Sequence, residues 1–91
     1  MASYANARIS GHALEEMRRR RIDKSIILEI LAHPDTLHTI SSNRIVLHKI
    51  LIAEDMKKAL LYRVFIDVDC SPPVVVTAYR TSKISKYERP Q

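Results

Sequence analysis

Apolar residues recur at helical spacing in the first third of the chain. Ile9, Ala13, Leu14 and Met17 form one stripe, and Ser10 is placed to cap a helix that starts beside it. Glu15 and Glu16 fall in its early turns and arginines at its end, as the helix dipole favours. A second helix is predicted over 24–33, capped by Asp23, buried through Ile26, Ile27, Ile30 and Leu31, and stopped by His33-Pro34. The period then changes to two. Strands are predicted over 36–40, 44–52, 59–68 and from Val74 to Ala78, separated by Ser41-Ser42-Asn43, by a polar turn with Glu54-Asp55, and by 69–73. Residues 1–8 read as a frayed end.

Two helices followed by four hairpin-connected strands imply an α+β fold. Two N-terminal helices pack on one face of a four-stranded antiparallel sheet in a single domain, with a short helix or extension after the last strand. In 59–68, Leu60, Tyr62, Val64, Ile66 and Val68 share the expected core side, and Arg63 lies on the other. The strand before it is apolar on both sides, so its open side is expected to meet a partner protein or a second copy, as in a homodimer.

Composition narrows the function classes. A formal charge of +5 on 91 residues attracts polyanions. No run of apolar residues is long enough to span a membrane, and the lone Cys70 fits a reducing cytoplasm. A single glycine excludes the usual phosphate-binding loops, and the histidines and cysteine lack zinc spacing. No cofactor and no metal are expected.

The last strand ends in a dense polar set: Tyr79, Arg80, Thr81, Ser82, Lys83, Ser85, Lys86 and Tyr87. Such side chains bind phosphate, and RNA is the expected partner. RNA cleavage without a metal needs a base for the ribose 2′-OH, cations for the phosphorus centre and an acid for the leaving 5′-oxygen. His12, early in the first helix, and Tyr87 are candidates for proton transfer; Arg63 and Arg80 are candidates for the phosphate. His48, Thr81, Ser82, Lys83 and Lys86 are candidate RNA contacts. Each has a plainer reading: His12 packing its helix, Arg63 paired to Asp67, Thr81 or Ser82 capping a C-terminal helix, Tyr87 packed on the sheet. His33 and His38 read as structural or exposed. The run Arg18-Arg19-Arg20-Arg21 spreads around a helix and reads chiefly as a solvated helix end.

Ile9-Ser10-Gly11-His12-Ala13-Leu14-Glu15-Glu16-Met17, Arg21-Ile22, Pro34-Asp35 and the run from Val75 to Lys83 together carry a resemblance. Over roughly residues 9–87 the chain resembles a family of small bacterial domains of unassigned function. In architecture it is similar to the RelE superfamily of toxin ribonucleases and to the BrnT toxins within it. That resemblance implies a toxin-like, metal-independent endoribonuclease restrained by a small antitoxin protein, with its site on the open sheet face and the C-terminal edge. The chain lacks the lysine-rich central strands of ribosome-dependent toxins. The alternative is a non-catalytic basic module of the same fold that binds nucleic acid or a protein.

Overall fold

The computed structural model describes residues 4–87. The elements are β1 (Arg8–Ile9), α1 (Gly11–Arg19), α2 (Lys24–Ala32), β2 (Thr36–Ser41), β3 (Arg44–Ala53), β4 (Lys58–Asp67), β5 (Val74–Thr81) and α3 (Ile84–Tyr87). They form an α+β fold on one five-stranded sheet in the order β1-β5-β4-β3-β2.

Ser10 caps α1 as its position suggested, its Oγ accepting from the Ala13 N–H at 3.1 Å. Asp23 takes the extended cap conformation before α2, but its side chain makes no cap bond. Met17, Ile27, Ile30 and Leu31 pack against Leu47, Leu60, Tyr62, Val64 and Ile66. That burial is the main favourable term in the fold. Leu14 departs from the expected stripe and is exposed, while Glu16 is buried. Arg19 and Arg20 both bond the Glu16 carboxylate, and this neutralises its charge. The arginine run is therefore partly a lid over a buried carboxylate, not only a solvated end.

The sheet corrects the four-stranded antiparallel expectation. Arg8 and Ile9 pair in parallel with Val74 and Val75, giving a fifth strand and a mixed sheet. The Arg8 N–H donates to the Pro73 carbonyl at 2.8 Å and the Ser10 N–H to the Val75 carbonyl at 3.0 Å. Two residues are too few to show a period, so this strand is invisible to pattern reading.

The face away from α1 and α2 is also partly buried. Val46, His48 and Leu61 are inaccessible there, and α3 lays Tyr87 over Arg63. Farther along the same face Ile50 and Ile52 remain exposed. No helix among the described residues is long and apolar enough to cross a membrane.

The β3–β4 turn holds Lys57 at φ 54°. A side chain there costs roughly 1 kcal/mol, which glycine avoids, although its freer unfolded chain offsets part of the gain. Lys57→Gly is expected to stabilise by about 0.5 kcal/mol, read as a rise of roughly 0.5 M or less in the urea midpoint with unchanged slope.

Candidate functional site

Three neighbouring strands each contribute one side chain to a row across the open face. His48 on β3 stands opposite Arg63 on β4, and Arg63 stands opposite Tyr79 on β5. Directly paired residues point to the same side of a sheet, so the register alone brings the three together. Phe65 lies two residues along from Arg63 on the same side.

The Arg63 guanidinium is held at the centre of this row. Its Nε donates to His48 Nε2 at 3.0 Å, and its Nη1 donates to the Tyr79 hydroxyl. Its central carbon lies 4.1 Å from the Tyr87 ring centroid, 5.1 Å from that of Phe65 and 5.5 Å from that of Tyr79. The negative ring faces compensate the half-buried cation without cancelling its charge. Asp67 does not pair with Arg63: Arg44 holds it, at 2.6 and 3.2 Å, and keeps its carboxyl below the usual range. Among the described residues no carboxylate bridges to Arg63. The arrangement is a fixed positive charge with neutral supports, suited to a phosphate.

Two phenols flank that charge and differ in acidity. Burial first, and then the hydrogen bond to Tyr87, push the Tyr79 hydroxyl up. The hydrogen bond from Tyr79 pulls Tyr87 down against a smaller desolvation, with help from Lys86 and Arg63. Tyr87 is thus the more acidic of the pair. His48 is only 2% exposed, so it positions Arg63 rather than meeting a substrate. The His38 ring lies 4.6 Å from it, tilted by 46°.

The structure brings together Arg63, His48 and Tyr87 of the residues singled out from the sequence. Lys86 adjoins them, its Nζ 5.3 Å from the Tyr87 ring centroid. Thr81 pairs with Leu61 and its Oγ1 accepts from the Lys83 N–H at 3.1 Å, shaping the link to α3. Ser82 and Lys83 are exposed in that link.

Arg80 and His12 stand apart. Arg80 points to the helix-covered side, where its two terminal nitrogens grip Asp55 at 2.9 and 2.7 Å and Tyr62 stands opposite it on β4. His12 is exposed at the start of α1, beside the Val75 end of β5. Five strand residues, roughly 16 Å, separate that end from Arg80, so the two do not converge on one phosphate.

From the sequence, Tyr79 stood only in the polar set that ends the last strand, His38 read as structural or exposed, and Phe65 was given no role in the site. The signal for Tyr79 and Phe65 was their alignment with Arg63 across or along the sheet, which needs the register. Among the described residues no three His, Cys, Asp or Glu side chains gather into a metal-holding cluster.

Fold and site define a small α+β protein with an aromatic-framed arginine on the sheet face opposite α1 and α2. The chain belongs to the family described as Domain of unknown function (DUF4258), whose model matches residues 9–80. No curated protein and no solved structure matches the chain.

Proposed function

We propose that this protein is a RelE-like, toxin-type endoribonuclease that cleaves RNA at the open sheet face without a metal. The observation that carries the reading is the Arg63 guanidinium, bonded to His48 and Tyr79 and capped by Tyr87. The scissile phosphate sits on Arg63, which neutralises the charge gathering on phosphorus. Tyr87, whose pKa is held down, accepts the proton of the ribose 2′-OH. The 2′-oxygen bonds to phosphorus, and the bond to the 5′-oxygen breaks. Tyr79, whose pKa is held up, returns a proton to that oxygen. Paired groups with acidities driven apart divide the base and acid roles in this way. The products are a 2′,3′-cyclic phosphate and a 5′-hydroxyl.

The test is cleavage of a mixed RNA in EDTA, with and without ribosomes. Tyr87→Phe is expected to slow cleavage about 10²–10⁴-fold, as loss of a general base does. Arg80→Gln, on the other side of the sheet, is expected to retain cleavage. No cleavage by the wild type in either condition overturns the reading and leaves a binding face without turnover.

The pH profile carries a separate prediction. The base must be deprotonated, so activity rises with pH through the lowered Tyr87 pKa. Tyr79→Phe removes the largest cause of that lowering, so the rising limb moves to higher pH, as a rate–pH series will show.

A further inference from the structure

β2 accompanies β3 only from Arg44 to His48, while β3 runs on to Ala53. Backbone groups alternate in direction along a strand. The His48 carbonyl faces the β2 side and accepts the Asp35 N–H at 2.8 Å. The Ile50 N–H faces the same way and donates to Asp35 Oδ2 at 3.0 Å. Two residues farther, the N–H and C=O of Ile52 also point outward, and they meet no partner strand among the described residues.

This bare edge borders a cavity of about 530 Å³ on the helix-covered side. Leu51, Ala53 and Tyr62 line its sheet side, and Asp23, Ile26 and Glu29 come from the α2 side. Arg80 and Asp55 cancel each other there in their two-pronged pair. The charges that remain are Asp23, Glu29 and Glu54 against Arg21, with Lys49 4.0 Å from Glu29. A net-negative rim on a chain of charge +5 runs against the overall balance. On the opposite side of the same edge, Ile50 and Ile52 are 40% and 67% exposed.

We infer that the outer edge of β3 at Ile50–Ala53 binds an extended segment of a partner protein, with alternating basic and apolar residues, as an added strand. Side chains of such a strand alternate between the two faces. One set reaches the cavity and its acidic rim; the other lies beside Ile50 and Ile52. Main-chain bonds to Ile52 supply affinity, and the alternating side chains supply the choice of partner. RNA does not fit, because the rim repels phosphate. Its cavity and acidic rim lie on the other side of the sheet from Arg63, and Ile50 and Ile52 lie farther along β3 than His48, so the edge shares no residue with the Arg63 row and stands whether or not RNA is cleaved.

The probe is a capped hexapeptide, Lys-Val-Lys-Val-Lys-Val, compared with Glu-Val-Glu-Val-Glu-Val on the full chain. The lysine peptide is expected to bind about tenfold or more tightly, a difference that shrinks with salt. It should also slow hydrogen exchange at the Ile52 amide. Ile52→Pro removes that outward donor without touching the bonds to β4, and is expected to weaken binding about tenfold. If the proline variant does not fold, Glu29→Lys with Glu54→Lys tests the rim instead and should reverse the preference. Equal binding of both peptides, or unchanged exchange at Ile52, overturns the inference. Protection of Ile52 by self-association without peptide also overturns it, by making a second copy the occupant.

Discussion

Arg63→Gln is expected to lower RNA cleavage about 10²–10³-fold, the loss seen when one donor to a developing oxyanion is removed. Glutamine keeps a polar side chain of similar reach but no charge. Arg63 is the group that can meet phosphate while both its neighbouring strands hold it in place, through His48 and Tyr79. Arg63→Lys should not restore the rate. An ammonium has the charge but not the planar fork that bonds His48 and Tyr79 at once. Single-turnover cleavage, beside the thermal unfolding of each variant, separates lost chemistry from lost fold. Undiminished cleavage by both variants, with the fold retained, would move the site away from this face.

Tyr62→Ala is expected to destabilise the protein by about 3–5 kcal/mol, the usual cost of emptying a buried aromatic position. Tyr62 is among the largest fully buried side chains and sits in the core between α2 and the sheet. Its side chain stands directly opposite Arg80 across the strands. A small domain has only about 5–15 kcal/mol in hand, so this single change leaves a substantial unfolded fraction on heating. Tyr62→Phe removes the hydroxyl alone, and about 1 kcal/mol is expected to be lost. Urea unfolding of the two variants distinguishes the packing contribution from that of the hydroxyl. A loss below about 1 kcal/mol for Tyr62→Ala would contradict the core described above.

Much of the scaffold was legible because local chemistry and burial point the same way. Ser10 before an apolar stripe marked α1, and His33-Pro34 marked the end of α2. A period of two from Leu60 to Ile66 put Arg63 opposite the core, although Leu61 on its own side is buried as well. Other features were not legible. Leu14 and Glu16 exchanged places because two arginines that follow in sequence can neutralise a buried carboxylate. The parallel pair at Arg8–Ile9 depends on a contact some sixty-five residues away, and two residues show no period.

The candidate site divides in the same manner. By itself the sequence determined that β4 carries a charge on its outward side and that β5 ends in polar residues, since both follow from residue type and a period of two. Only the tertiary structure decided which of those polar residues meet the charge. The register between β4 and β5 shifts near Val76: Val75 and Ala78 both face the core, three residues apart. A period-two count from Val75 would turn Arg80 outward and bury Tyr79, and the one-residue irregularity reverses both. It sends Tyr79 to Arg63 and Arg80 to Asp55 on the far side. A bulge costs little locally and leaves no mark in residue type, so the pairing across strands settles it.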